Sequence, residues 1–273
     1  METIIIATDF SHAATNAALY AAELANALQK ELLILYIDTL PVTYADVPIP
    51  TRLEEMTEMG EMEIKKLQER LILHTTGNIS ITTEIQMGTF FTTLTSVCER
   101  VHPYAVVMGS QGTTASERFF FGGHTVHAMK HLKWPLITVP PQAKFSPVTQ
   151  IGLACDFENI LATTPLSGIR KLVKDFHAKL HVLNSGSGSE YNPDTVFESA
   201  LLEDLLSGLD PEFHYITDKD HDPDKALVDF VKNNHIQLLL VLPKQHHLLE
   251  SIFHKSHTKQ LVLNSDVPVM ALH

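Results

Sequence analysis

The chain is poor in cysteine and has no long apolar run. Its 273 residues include two cysteines, Cys98 and Cys155, which lie in apolar segments of different halves. This usage is typical of buried thiols in a reducing compartment, so we expect a cytoplasmic protein. No apolar stretch approaches the roughly 20 residues of a membrane-spanning helix. The first residues, Met1-Glu2-Thr3, place an acid where a signal peptide carries positive charge. We therefore expect no membrane partner.

Positive charge is scarce as well. Lys and Arg number 20 against 32 Asp and Glu, which gives a formal net charge of −12. Binding to nucleic acid needs clustered Lys and Arg to neutralise phosphates, and the sequence shows no basic stripe. It also lacks a serine nucleophile elbow, a Walker-type phosphate loop and a C-x2-C pair. We expect no nucleic-acid partner and assign no catalytic residues.

The sequence does contain a regular alternation of strand-like and helix-like segments. Ser11 stands where a helix N-cap is expected, before the Ala- and Leu-rich run that extends to Gln29. The order βαβαβαβαβ predicts a parallel, doubly wound sheet. The predicted strands are Ile4–Thr8, Leu32–Ile37, Ile79–Met87, Ala105–Met108 and Pro135–Val139, and the later helices are Arg52–His74, Phe90–Val101 and Gly123–Leu132.

The same pattern then restarts. Pro140–Pro147 is proline-rich and typical of a linker, and Ile151–Phe157 repeats the pattern of Ile4–Phe10. The sequence therefore predicts two tandem Rossmann-like α/β domains, each a five-stranded, mainly parallel sheet with helices on both faces. We place them at residues 1–141 and 149–273, joined by a linker at 142–148. Further matches to the first half are Leu180–Leu183, Leu238–Leu242 and Val267–Leu272.

Glycines are grouped at one place in the first half. Gly109-Ser110-Gln111-Gly112 directly follows the apolar run Tyr104–Met108, and Gly122-Gly123-His124-Thr125 precedes a predicted helix. Glycine lets backbone N–H groups converge on an anion, and a helix N-terminus adds partial positive charge. Asp9 and Tyr36 follow or end the first two strands, so they are expected at the same sheet edge. This combination favours a nucleotide site.

These motifs resemble the universal stress protein family in its tandem two-domain form. The segments that carry the resemblance are Ala7–Ser11, Met108–Gly112 and Ser116–Thr125, and it covers essentially the whole chain. It implies the doubly wound fold and ATP as the cofactor, with Mg²⁺ as a companion ion in some cases. By the resemblance, Ala7, Asp9 and Tyr36 would contact or flank the adenine, Gly109 and Gly112 the ribose and first phosphates, and Gly122, Gly123, His124 and Thr125 the outer phosphates.

One residue departs from the family pattern. Gly123 stands where the family usually has Ser or Thr, so one hydroxyl contact worth about 1 kcal/mol is lost. Thr125 is the candidate to supply a hydroxyl instead. The alternative is that the glycines serve only tight packing between helix and strand.

The second half lacks the glycines. In our alignment Pro243 replaces the first glycine, His246 the second and Lys255 replaces Gly122, while Asp156 is retained. Proline removes a donor, and the other two side chains fill space that a nucleotide needs. We predict that the second half does not bind ATP.

The resemblance also suggests how the two halves associate. Single domains of the family commonly dimerise through their last strands, so Pro135–Val139 and Pro268–Leu272 would pair antiparallel within one chain. One chain would mimic that dimer, and a further homodimer stays open.

The leading functional prediction is a stress-response protein that binds ATP or another adenine nucleotide in the first domain and acts as a sensor or a module for an unknown protein partner. One alternative is a slow ATPase or nucleotide-processing enzyme, with Asp9 as its only placed carboxylate. The other is a nucleotide-free scaffold or binder of a small ligand.

Histidines number 16. His124, His127 and His131 share one predicted helical face, and a second group spans His246–His257. No cysteine is interleaved with them, so we assign no metal site and expect a polar or pH-responsive surface. The acidic segments Asn184–Glu190 and Asp218–Asp224 are predicted loops without the spacing of a calcium site.

Overall fold

The computed structural model describes residues 1–39, 49–110, 124–157, 159–184, 193–216, 223–243 and 265–273. The chain divides into two compact units, Met1–Ala128 and Met129–His273. Among the helices described, none combines the length and the apolar character needed to cross a bilayer.

The first unit alternates strands with helices as predicted. Helix α3 has the predicted bounds, and α2 begins three residues earlier than predicted. Ser11 caps α1 as predicted, because its Oγ accepts a hydrogen bond from the Ala14 N–H at 3.2 Å. The elements are β1 (Thr3–Thr8), α1 (His12–Ala27), β2 (Glu31–Asp38), α2 (Ile49–His74), β3 (Ile81–Met87), α3 (Phe90–Val101) and β4 (Ala105–Gly109). They are followed by α4, described over residues 124–131, whose last three residues belong to the second unit.

The strands of the first unit lie in the order β3-β2-β1-β4, and all three pairings are parallel. Ile4, Ile5 and Ile6 of β1 are fully buried, which is why this strand is apolar throughout instead of alternating. Helix α1 packs against β1 and β4 through an alanine-rich face. The chain winds outward from β1 to β3 and returns on the other side of β1 at β4. The carboxyl ends of β1 and β4 therefore flank the topological switch point.

The second unit repeats this arrangement and adds two strands. Its strands lie in the order β5-β10-β9-β6-β7-β8, with all pairings parallel except that of β5 with β10. The elements are β5 (Leu136–Val139), β6 (Gln150–Ala154), α5 (Ile160–Thr163), α6 (Leu166–Phe176), β7 (Lys179–Asn184), α7 (Pro193–Leu205), β8 (Glu212–Tyr215), α8 (Pro223–Asn233), β9 (Leu238–Val241) and β10 (Val269–Ala271).

The registers of the two units match residue for residue at the centre of the sheet. Ile4 of β1 lies opposite Leu32 and Ala105, and Ile151 of β6 lies opposite Leu180 and Leu238. The parallel, doubly wound α/β class is confirmed.

The antiparallel pairing predicted for the last strands is present. Thr138 lies opposite Val269, and its Oγ1 donates to the Val269 carbonyl at 3.2 Å. Strand β5 therefore belongs to the unit Met129–His273 although it precedes residues 142–148 in sequence. The linker at 142–148 stays a prediction.

One expectation for the second half and one for the thiols need correction. Asn184 is not in a loop: it ends β7, is buried, and its Nδ2 donates to the Cys155 carbonyl at 2.9 Å. Residues 185–190 of that segment lie outside the described residues. Cys98 is a buried thiol as predicted, whereas Cys155 is only half-buried because it lies one residue past the end of β6.

Candidate functional site

The described candidate residues of the first unit lie at one edge of its sheet. Thr8 lies opposite Tyr36, and Ile6 lies opposite Val107, so Gly109 is level with Thr8. Ala7 and Asp9 flank Thr8. Because parallel strands end at the same edge, the sequence motifs of three strands meet at the switch point between β1 and β4.

The turn from β1 into α1 is fixed by short-range hydrogen bonds. Asp9 accepts the Ser11 N–H at Oδ1 over 3.1 Å, and Thr8 Oγ1 accepts the Phe10 N–H at 3.0 Å. Phe10 has φ of 65°, a left-handed conformation that is uncommon for a residue other than glycine. A strained backbone of this kind persists where the surrounding structure holds it. In this conformation the Phe10 ring contacts Tyr36 of β2.

Tyr36 forms an aromatic pair with Phe10 at this edge. The ring centroids are 4.8 Å apart and tilted by 42°. Both residues are half-buried, so the pair is accessible from solvent. Burial, and then the carboxylates of Asp38 and Asp9, raise the pKa of the Tyr36 phenol above its ordinary value. At neutral pH the phenol is therefore a protonated donor close to the Asp9 carboxylate.

Gly60 gives the Tyr36 ring its place, and the sequence analysis missed it. A Cβ on Gly60 would lie 2.9 Å from Cε1 of Tyr36, closer than real contacts allow. Glycine inside a long helix costs about 1 kcal/mol relative to alanine, so its presence in α2 is the feature that could have indicated a close contact. Phe10 was missed as well, although it stands beside Asp9.

Gly109 has a packing role. A Cβ at this position would lie 3.2 Å from the backbone C and O atoms of Ala13 and 3.4 Å from the Ala14 nitrogen. A residue with a Cβ would require the first turn of α1 to move away from β4 by a few tenths of an ångström. This contact supports, for Gly109, the alternative that the glycines serve tight packing between helix and strand.

Thr125 is bonded to the same residue from the other side. It is fully buried, and its Oγ1 donates to the Gly109 carbonyl at 3.2 Å. This hydroxyl would have to change its partner to replace the one lost at Gly123, and that role of Thr125 stays a prediction. His124 is half-buried, and its ring lies 5.0 Å from that of Phe90. Gly112, Gly122 and Gly123 lie outside the described residues.

The corresponding edge of the second unit is filled. Phe157, the counterpart of Phe10, also has a left-handed backbone (φ 54°) but is only 2% exposed. Its ring contacts those of Phe213 and Tyr215 at centroid distances of 6.2 and 5.9 Å. Asn184 stands in the place of Tyr36, and Asp156 is exposed. No aromatic pair comparable to that of Phe10 and Tyr36 is therefore accessible here in the part of the chain described.

In the second half, the residue aligned with the first glycine, Gly109, also needs correction. The registers of β4 on β1 and β9 on β6 make Val107 equivalent to Leu240, which places Leu242 at the position of Gly109. Pro243 is one residue beyond. Apolar strands align equally well when shifted by one residue, and only the hydrogen-bonded register fixes the match. His246 and Lys255 lie outside the described residues.

Metal-ligand side chains converge at a different place from the one that the histidine spacing suggested. His127 is exposed on α4, with its ring in an edge contact with Phe91 at 4.5 Å. Within the residues that the structure describes, one group has its ligand atoms within 4.8 Å of one another, and it consists of His181, Glu212 and His214 of the second unit.

Comparisons with known proteins agree with this architecture. The model of the Universal stress protein family matches residues 1–140. Over the whole length, 99% of the chain superposes on 95% of a universal stress protein from Archaeoglobus fulgidus DSM 4304, with a TM-score of 0.72 and 16% identity.

Two structures from Pseudomonas aeruginosa cover 100% of this chain at 10% identity and a TM-score of 0.57. They are a functionally unknown protein from strain PAO1, covered over 92% of its length, and a putative universal stress protein from strain UCBPP-PA14, covered over 93%. At these identities the likeness establishes the fold. A comparison with curated proteins gave no significant match.

Proposed function

The chain belongs to the universal stress protein family, and from this we propose that its first domain binds ATP or another adenine nucleotide at the carboxyl edge of β1, β2 and β4. The observation that carries the proposal is the accessible pair of Phe10 and Tyr36, with Asp9 beside it, at the switch point of a doubly wound sheet. Ligands of open α/β sheets bind at this position.

The adenine would be held by stacking and by a carboxylate. The Phe10 and Tyr36 rings offer apolar faces at the end of β2, and stacking of a base on an aromatic side chain contributes about 1–3 kcal/mol. Asp9 uses Oδ1 for the Ser11 N–H and is an acceptor suited to the exocyclic amine of adenine. The Ala7 backbone borders the same space on β1.

The phosphates would lie toward the N-terminus of α4. Backbone N–H groups and the helix dipole are the donors available there, since the Thr125 hydroxyl donates to Gly109. Gly123 adds a backbone donor but no side chain. We therefore propose a site whose affinity comes mainly from the base and the backbone, with Mg²⁺ as an optional companion of the phosphates.

We propose that occupancy of this site is the signal that a cytoplasmic stress-response protein passes to a protein partner. Asp9 is the one carboxylate among the proposed site residues, and it already holds the β1–α1 turn through Ser11. Because Oδ1 of Asp9 already accepts the Ser11 N–H, this carboxylate is better suited to binding the nucleotide than to acting as a general base.

Calorimetry on the purified chain tests the nucleotide site, because the duplication supplies a matched control. Asp9→Asn is expected to weaken ATP binding about tenfold, the value of one hydrogen bond to a charged group. Asp156→Asn, the same change at the filled site, is expected to leave the affinity unchanged. An equal loss from both variants, or no binding of any adenine nucleotide by the unaltered chain, would contradict the proposal.

The contact of Gly109 with Ala13 favours a second candidate, a nucleotide-free scaffold in which the glycines serve packing. The two candidates differ at Gly112 and Gly122. If the site binds a nucleotide, Gly112→Val and Gly122→Val should each weaken ATP binding. If the protein is a nucleotide-free scaffold, the unaltered chain should bind no ATP, and both variants should bind the protein partner as the unaltered chain does.

A further inference from the structure

A cluster of polar side chains lies at the amino ends of three strands of the second unit. Gln150, Lys179 and Glu212 are the first residues of β6, β7 and β8. His181 lies opposite Gly152 on one side and Glu212 on the other, and His214 follows Glu212 by two residues. Residues two apart on a strand share a face, so all five side chains project from the same side of the sheet. This is the opposite end of the strands from Asp156.

Three ligand atoms of this cluster are spaced as around a metal ion. His181 Nδ1 lies 3.0 Å from His214 Nε2 and 3.4 Å from Glu212 Oε2, and His214 Nε2 lies 3.7 Å from the same oxygen. Tetrahedral Zn²⁺ with ligands at 2.0–2.1 Å separates them by about 3.3 Å. We propose that His181, His214 and Glu212 form a binding site for Zn²⁺ or a divalent transition metal of similar preference.

Neighbouring groups hold two of these ligands in the state that a metal requires. His181 Nε2 lies 2.5 Å from Gln150 Oε1, and because a carboxamide oxygen only accepts, the ring carries its proton there. The lone pair is then on Nδ1, facing His214. A second hydrogen bond of this kind typically fixes the tautomer and orientation of a metal-bound histidine. Burial and the neighbouring His214 also lower the pKa of His181, which favours the neutral ring.

Glu212 divides its two oxygens between partners. Oε1 accepts a hydrogen bond from the Lys179 ammonium, and Oε2 is the atom that faces both histidines. The bond from Lys179 lowers the pKa of Glu212, so the carboxylate is ionised. The positive charge of Lys179 also repels a metal ion at this position. Removing that charge should therefore raise the affinity for the ion.

The donor set and its exposure select the class of ion. Two imidazole nitrogens and one carboxylate oxygen suit Zn²⁺, whereas Mg²⁺ and Ca²⁺ prefer oxygen ligands alone. The His181 side chain is 10% exposed, but those of His214 and Glu212 are 27% and 47% exposed. An ion can therefore enter from solvent and keep water as its fourth ligand. It would join β8, at the edge of the sheet, to β7.

Titration of the untagged, chelator-treated chain with Co²⁺ and Zn²⁺ tests the site. We expect the intense visible bands of tetrahedral Co²⁺, displaced by Zn²⁺ at one equivalent. Glu212→Gln and His214→Gln are each expected to lower Zn²⁺ affinity by more than tenfold. The control is the double variant His127→Gln/His131→Gln, which removes an exposed i,i+4 histidine pair on α4 and is expected to leave the affinity unchanged.

Two variants separate a metal site from a hydrogen bond between His181 and His214. Gln150→Leu is expected to weaken Zn²⁺ binding tenfold to a hundredfold, as loss of such an orienting partner does. Lys179→Gln keeps a donor for Glu212 Oε1 but removes the opposing charge, so the affinity is expected to rise. Far-UV circular dichroism of each apo variant checks the fold. Absence of a tetrahedral Co²⁺ spectrum from the unaltered chain, or its persistence in Glu212→Gln/His214→Gln, overturns the proposal.

Discussion

At the scale of single residues, the candidate nucleotide site depends on glycines that make room for neighbours. Gly60 leaves space for the Tyr36 ring, and Gly109 leaves space for the first turn of α1. Neither glycine has a positive φ, so the requirement at both positions is steric. Substitutions at such positions report on the neighbour as much as on the glycine.

A comparison of two helical glycines makes this measurable. Gly60→Ala is expected to displace Tyr36, to weaken adenine-nucleotide binding and to give no gain in the free energy of unfolding. Gly168→Ala is the control, because a Cβ there meets nothing within 4 Å. It is expected to raise the free energy of unfolding by up to about 1 kcal/mol through helix propensity. Denaturant unfolding and calorimetry supply the two measurements, and equal stabilisation by both changes would disprove the steric role of Gly60.

At the scale of elements, the caps of two helices differ although both are hydroxyl residues. Ser11 Oγ accepts the Ala14 N–H, while Thr89 precedes α3 without a side-chain cap hydrogen bond. Ser11→Ala is expected to lower the free energy of unfolding by about 1 kcal/mol, and Thr89→Ala by clearly less. Urea denaturation of the two variants checks the difference. Similar losses would show that the bond to Ala14 is not what stabilises the start of α1.

Elements with a strong periodic pattern could be predicted from the sequence. The bounds of α3 were correct because Leu94, Val97 and Cys98 form a buried stripe beside polar residues. Strand β8 was missed because its four residues, Glu212–Tyr215, have no apolar run and are half-buried or exposed. Its place in the sheet depends on pairing with β7, which no local pattern encodes.

The candidate site was predictable in outline for the same reason. Asp9, Tyr36 and Gly109 end apolar strands, and parallel strands bring their ends to one edge. The Thr125 bond to Gly109 and the contact of Gly60 with Tyr36 were not predictable, because each joins residues that are far apart in sequence. The cluster of His181 and His214 was missed because the two residues lie on separate strands, and only the pairing of β7 with β8 brings them together.

At the scale of the whole molecule, duplication has produced two sheet edges with different contents. Phe10 is half-buried and paired with Tyr36, whereas Phe157 is enclosed by Phe213 and Tyr215. We expect one adenine nucleotide for each chain. Native mass spectrometry of the freshly purified protein measures the ratio, and two nucleotides per chain would show that the second edge opens.

The pairing of β5 with β10 constrains how the protein is made. Thr138 of β5 pairs with Val269 of β10, which is 131 residues further along the chain, so this antiparallel pair cannot form until β10 has been synthesised. Contacts between such distant residues form late, since loop closure opposes them. On the ribosome β5 is thus synthesised long before its partner, and an unpaired strand edge attracts other chains. The edge of β5 that pairs with β10 is therefore exposed to other chains until Val269 has been synthesised.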